Sequence, residues 1–150
     1  MPETVIEQAL SRATGDVLEK MFFAELLGES AAPQNSDPAI AVRMPFDGEC
    51  RGILTLRISM AAARTLAADF LGVDSDEGPD EGQVYEVVRE LANMICGDAL
   101  SALEKSPLRL SAPEIVPADL TLPAGGGFRS FDLGNGVLTV SLRFLEHTRE

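Results

Sequence analysis

The spacing of apolar residues in the first half of the chain predicts a helix, a hairpin and a second helix. Residues 4–27 carry apolar side chains at steps of three and four, typical of an amphipathic helix that Gly28 would end. Two alternating runs, 39–45 and 50–58, surround a short turn and predict a β-hairpin. Ser59 is then expected to cap a short helix that closes at Gly72.

The second half of the chain begins with a longer predicted helix and ends in a second predicted hairpin. Apolar spacing predicts a helix over 83–104, and Asp80 with Gln83 has the spacing of a capping box at its start. An extended, proline-punctuated run follows at 108–116. The runs 128–133 and 137–145 are joined through an Asn-Gly sequence, which is a strong signal for a second hairpin.

The two hairpins resemble each other in sequence. Residues 52–58 (GILTLRI) closely parallel residues 136–142 (GVLTVSL), and each run follows a Phe-Asp pair. Two hairpins of any α+β protein can look alike, but here turn, glycine and threonine match together. We therefore predict an α+β fold in which duplicated helix-plus-hairpin units form one mostly antiparallel sheet, with the long helices packed on one face. A length of 150 residues suits one domain over 1–150.

Charge and composition narrow the function classes. Lys and Arg number 12 against 24 Asp and Glu, a formal net charge of −12 that argues against binding nucleic acid or an anionic membrane surface. No apolar run is long enough to span a membrane, and the start of the chain lacks a signal-peptide pattern, so a cytoplasmic protein is expected. Cys50 and Cys96 stand far apart without histidines at ligand spacing, which predicts neither a zinc site nor a disulfide framework.

One face of the long predicted helix carries residues that are unfavourable in an α-helix. Glu86, Glu90, Asn93 and Gly97 fall within about 60° of one another on a helical wheel, opposite the apolar face. A solvated surface is the ordinary explanation of such a polar face. However, the two like charges one turn apart repel each other, and asparagine and glycine are poor helix formers. A face selected only for solubility has no need of these residues, so we interpret it as functional.

The chemistry of this face suits assistance to another protein's reaction. A carboxamide has two donors and an acceptor, so Asn93 could orient a water molecule without titrating, as amide side chains do in phosphoryl transfer. Glu90 could bind a Lys or Arg of a partner, and Gly97 would let that partner approach closely. The sequence has no nucleotide-binding loop or metal-ligand cluster, and its sole histidine, His147, lies near the end of the chain.

The segment 90–97 (ELANMICG) resembles the CheX branch of the CheC/CheX/FliY chemotaxis phosphatases, which carry Glu-x-x-Asn on an exposed long helix. The likeness extends to 17–23, 39–72 and 110–113. It implies that the substrate is the aspartyl phosphate of a CheY-like receiver domain. It also implies that Asn93 places the attacking water, that Glu90 pairs with the receiver's active-site lysine, and that Glu86 and Gly97 are partner contacts. The receiver would supply its own Mg²⁺, so no cofactor of this chain is expected, and relatives form homodimers through their sheets.

The duplication also predicts how many sites the chain carries. Aligning the two long helices places Glu19 opposite Glu90 and Phe22 opposite Asn93, so the first copy lacks the amide and a single site is expected. Glu86 departs from the Asp or Ser that the related CheC pattern prefers at that position. The main alternative is a non-catalytic, CheX-like adaptor that binds a receiver or signalling complex. A third hypothesis is an accessory protein in a non-chemotactic pathway.

Overall fold

A computed structural model describes residues 3–21, 38–48, 50–73, 78–103, 109–117 and 127–145. Within these residues, helices and strands follow one another in the order that the sequence patterns predict, except that the extended run at 108–116 forms two short strands. They are α1 (Glu3–Met21), β1 (Ala39–Asp47), β2 (Gly52–Ser59), α2 (Met60–Leu71), α3 (Glu81–Ala102), β3 (Arg109–Leu110), β4 (Glu114–Val116), β5 (Gly127–Asp132) and β6 (Val137–Phe144). Phe22, the predicted helix end at Gly28, and His147 lie outside the described residues.

The strands form one antiparallel sheet in the order β3-β1-β2-β6-β5, with β4 also paired to β1. Alternate residues of the central strands point to a shared core; Val42, Leu56 and Val140 stand side by side across three strands and are fully buried. The helices contribute the other half of the core, including Leu10, Leu18, Leu91 and Ile95. The predicted α+β class, with one antiparallel sheet and long helices on one face, is confirmed.

The two hairpins meet at the centre of the sheet. Strands β2 and β6 pair there, with β1 and β5 outside them, and Leu56 lies opposite Val140, its own counterpart in the repeated motif. The repeated glycines also share a role. A Cβ on Gly52 would overlap the Phe46 ring and lie 2.6 Å from the carbonyl oxygen of Arg143, whereas one on Gly136 would lie 2.7 Å from the Cβ of Ser59. Both positions therefore lack room for a side chain, as expected of two copies of one unit.

Ser59 occupies the predicted N-cap position of α2, but its side chain is used differently. It directly precedes α2, but its side chain makes no capping hydrogen bond to that helix. Instead, its hydroxyl accepts a hydrogen bond from the backbone N–H of Val137 at 3.0 Å. The predicted N-cap position is confirmed, but the side-chain cap is absent because the neighbouring hairpin, distant in sequence, provides a competing backbone donor. Gly72, in contrast, ends α2 as predicted, in the left-handed conformation with φ of 69°.

Candidate functional site

Helix α3 is the element on which the candidate site is built, and its start is held by the predicted capping box. The backbone N–H of Gln83 donates to the Asp80 carboxylate at 2.8 Å, and the Gln83 side chain accepts from the backbone N–H of Asp80 at 3.0 Å. These bonds satisfy backbone donors that a helix start leaves open. The helix is therefore well defined from its first turn.

The inner face of α3 anchors the helix in the core. Its buried residues form an almost continuous apolar stripe: Val84, Val87, Val88, Leu91, Ala92, Ile95, Cys96, Ala99 and Leu100. Ala102 lies on the same side of the helical wheel as Leu91 and Ile95, but it is exposed at the last turn of the helix. The opposite side of the helix carries Glu86, Glu90, Asn93 and Gly97, which we call the ridge. Because the helix is anchored in the core along most of its length, the ridge is held rigidly at the surface.

Asn93 lies half-buried on this ridge, between the core and the solvent. Among the described residues, its carboxamide has no hydrogen-bond partner. Both donors and the acceptor of the amide are thus available to a ligand or water, while partial burial limits the rotamers that the side chain can adopt.

The two glutamates of the ridge differ in their surroundings. Glu86 forms an ion pair with Arg89, with the carboxylate and guanidinium atoms 2.7 Å apart. Glu90 is exposed, and no described residue pairs with its carboxylate. The repulsion expected between Glu86 and Glu90 is therefore moderated by Arg89, a partner that sequence reasoning missed although the spacing of three residues was a usable signal. Among the described residues, Glu90 is therefore the ridge carboxylate without an ion-pair partner.

Gly97 opens the other end of the ridge. A Cβ built at this position would meet nothing within 4 Å, so the residue lies at an open surface and not in a tight helix contact. Beside it, a groove of about 400 Å³ runs between α1 and α3 and is lined by Asp16, Val17, Lys20, Met94, Asp98 and Ser101. A protein surface could therefore approach the helix backbone here.

A second cleft lies at the Glu90 end of the ridge, between the end of α2 and the first half of α3. It measures about 680 Å³ and is lined by Phe70, Leu71, Asp80, Gly82, Gln83, Glu86, Val87 and Glu90. Sequence reasoning did not foresee this cleft, because it depends on how α2 packs against α3. The ridge is thus flanked by one depression at each end.

The ridge is chemically suited to hydrogen bonding and charge pairing. In the part of the chain that the structure describes, no three His, Cys, Asp or Glu side chains are grouped so as to hold a metal ion. Cys50 and Cys96 are free thiols, and burial raises the pKa of the Cys96 thiol to about 12, which keeps it protonated and unreactive. No described helix is long and apolar enough to cross a membrane.

A sequence model of the chemotaxis phosphatase CheX matches residues 40–123, more than half of the chain. The protein belongs to the CheX family. The matched segment runs from the first hairpin through α3 and so includes the whole ridge from Glu86 to Gly97. Comparison with curated proteins gave no match.

Solved structures of CheX-like and CheC-like proteins share the fold of this CheX-family chain at low sequence identity. A CheC-like superfamily protein from Shewanella sp. PV-4 superposes with a TM-score of 0.76 and 18% identity, covering 97% of this chain and 100% of that one. Chemotaxis protein CheX from Desulfovibrio desulfuricans gives 0.71 and 20%, covering 93% and 99%. The CheX–CheY–BeF3–Mg²⁺ complex from Borrelia burgdorferi gives 0.70 and 18%, covering 93% and 97%.

Proposed function

We propose that this CheX-family protein hydrolyses the aspartyl phosphate of a CheY-like receiver domain. The observation that carries the proposal is the outer ridge of α3. There Glu90, which has no ion-pair partner among the described residues, and a half-buried Asn93 stand one helical turn apart on a helix anchored in the core. Membership of a chemotaxis phosphatase family supports the reaction class, and the CheY bound in the Borrelia burgdorferi complex supports the kind of partner.

Asn93 would position the nucleophile. With its amide groups unused by the described residues, it can hold a water molecule in line with the phosphorus of a docked acyl phosphate. The water oxygen forms a bond to phosphorus while the bond from phosphorus to the aspartyl oxygen breaks. The products are the free carboxylate and inorganic phosphate, which keeps both protons of the water. An amide serves here because the step requires orientation more than a strong base.

Glu90 would hold the receiver in place. Its exposed carboxylate can pair with the lysine of the receiver's active site, and Glu86 and Gly97 would contribute charge and close approach on either side. We expect Mg²⁺ to arrive with the receiver, as the Borrelia burgdorferi complex contains BeF3 and Mg²⁺ together with CheY. No cofactor of this chain is required for the proposed roles.

The decisive test is the substitution Asn93→Ala. We expect it to lower the accelerated loss of phosphate from a phosphorylated receiver by about a hundredfold or more, since the water is no longer oriented. Phosphate release would be followed with and without the protein, and receiver binding measured in parallel.

Glu19→Ala is the matched control for this test, because Glu19 is exposed on α1 and corresponds to Glu90 in the first copy. It should leave the rate unchanged. Binding of the receiver without any acceleration by the wild-type protein would instead identify a non-catalytic adaptor.

Glu90→Ala tests the contact with the receiver. We expect weaker association, by about fivefold to tenfold at low ionic strength and less at high salt, because screening reduces the charge pairing that the substitution removes. Titration of the receiver at two salt concentrations measures this. An affinity that is unchanged at both would remove Glu90 from the contact surface.

We further propose that the chain forms one domain and acts in the cytoplasm. We also propose that two copies pair into a homodimer through their sheets. Strand β5 lies at one end of the sheet order, and among the described residues it has β6 as its neighbour on one side. An edge of this kind is a template for pairing with a second copy. Light scattering after size-exclusion chromatography would measure the mass, and a monomer at high concentration would contradict the dimer.

A further inference from the structure

The cleft between α2 and α3 has an apolar floor that the proposed chemistry does not use. Val87 is buried and Phe70 is half-buried, and Leu71 stands at the rim with 39% of its surface exposed. The cleft has a volume of about 680 Å³, which is within the range of specific binding sites.

The exposure of Leu71 has no local explanation in its helix. The core-facing residues of α2 are Ala62, Ala63, Leu66, Ala67 and Ala68, and Leu71 lies beyond them. Val73 is also exposed, but its backbone N–H donates to the carbonyl of Ala68 at 3.0 Å in the turn that ends the helix, where an apolar residue is commonly found. Leu71 has no such role, and it lines the cleft together with Phe70 and Val87, so it belongs to a contiguous apolar surface of the kind that marks an interaction site.

The charges around the cleft indicate what that partner carries. The Asp80 carboxylate is engaged in the helix cap, and Glu86 is paired with Arg89. Glu90 is the lining acid without a described partner, and Glu86 remains accessible with 72% of its side chain exposed. An apolar floor beneath an acidic wall favours an apolar side chain next to a lysine or arginine.

The cleft is continuous with the ridge that carries the proposed activity. Glu90 belongs to both, and Asn93 lies about 4.5 Å further along the helix axis. Resting on the proposed function for the identity of the partner, we propose that this cleft docks a second surface segment of the receiver. That segment presents an apolar side chain beside a basic one, and its docking strengthens the binding that brings the acyl phosphate to Asn93.

Leu71→Asp tests this docking site with a receiver loaded with BeF3⁻ and Mg²⁺, so that binding is measured without turnover. We expect the dissociation constant to rise about tenfold to a hundredfold, the range for losing a buried leucine contact. In the phosphatase assay the effect should fall on KM, because the residue contacts the partner away from the phosphoryl group.

Val5→Asp is the matched control, since Val5 is 42% exposed on α1 and lies away from the cleft. It should change the dissociation constant less than about twofold. Circular dichroism verifies that both variants fold, and Leu71→Ser repeats the test with a smaller, uncharged change. An affinity of Leu71→Ser and Leu71→Asp equal to that of the wild type would overturn the docking site.

The acidic wall is tested separately by Glu86→Lys, with Glu19→Lys as the control for the same change in net charge elsewhere. We expect only Glu86→Lys to weaken binding, and the difference between the two variants to shrink as salt is raised. Equal affinities for the two variants would show that the segment bound in the cleft carries no basic residue.

The outcomes separate this inference from the proposed function. Binding that depends on Leu71, without dephosphorylation, would support the docking site and overturn the phosphatase. Dephosphorylation that depends on Asn93, with unchanged KM in Leu71→Asp, would support the phosphatase and overturn the docking site. A wild-type protein that binds no receiver would overturn both.

Discussion

Asn93 combines two properties that rarely occur together on a helix surface. It is half-buried, which restricts its rotamers, yet no described residue uses its hydrogen-bonding groups. An amide that stayed fully in solvent would lose more entropy when it orders a water molecule. Glu90, one turn away, is exposed and can adjust to a partner. The pair therefore joins a restricted group for positioning with a flexible one for charge pairing.

Substitutions at Gly97 should affect the stability of the protein and its binding of the receiver differently. Because a Cβ at this position meets nothing within 4 Å, Gly97→Ala should stabilise the protein by about 0.5–1 kcal/mol, the usual gain in an exposed helix interior. Urea unfolding of the two proteins measures the difference.

Gly97→Leu should also fold, but the larger side chain should obstruct the receiver and weaken its binding. Ala102→Leu, at an exposed position on the same helix, is the control for adding a leucine. Wild-type affinity in Gly97→Leu would mean that no partner approaches the helix at this point.

Helix α3 owes its precise start to local sequence and its rigidity to the core. The box formed by Asp80 and Gln83 was predictable because both partners lie within one turn of chain. The cap expected of Ser59 had the same local logic, but its hydroxyl bonds to Val137 on another strand. A capping signal is therefore reliable only where no distant backbone group competes for the side chain.

Asp80→Ala tests how much the cap stabilises the helix. We expect a loss of about 1 kcal/mol in the free energy of unfolding, since the substitution removes the bond to the Gln83 N–H. Asp98→Ala provides the comparison, because Asp98 is exposed in the second half of α3, where a negative charge opposes the helix dipole. Its stability should be unchanged or slightly raised. Equal losses in both variants would argue against the cap.

The molecule as a whole is built around a core shared by the sheet and the three described helices. Cys96 lies fully within that core. Desolvation raises the pKa of its thiol from 9.0 to about 12. The folded state therefore retains a proton that the unfolded chain releases at lower pH.

This shift predicts a loss of stability in alkali. The contribution of the neutral thiol is fully present below pH 9 and is lost as pH rises toward 12. Relative to Cys96→Ala, the wild-type free energy of unfolding should fall by about 1 kcal/mol per pH unit in that window. Urea titrations of both proteins between pH 8 and 11 measure the difference, and parallel pH profiles would contradict the shift.

Much of this architecture could be predicted from short-range patterns in the amino-acid sequence. Hydrophobic periodicity, the Asn-Gly turn and the repeated GILTLRI and GVLTVSL runs predicted the hairpins, the helices and the antiparallel sheet, because each depends on neighbours within a few residues. The same patterns placed Glu86, Glu90, Asn93 and Gly97 on one side of a helix, since helical geometry sets that side once the buried face is known.

The remaining features of the fold and of the candidate site depend on tertiary packing. The half-burial of Asn93, the open space beside Gly97, the cleft around Leu71 and the redirected hydroxyl of Ser59 all depend on how α1, α2 and the second hairpin meet α3 and β2. Such contacts join residues far apart in the chain, and their geometry follows from filling one common core. No local run of residues carries that information.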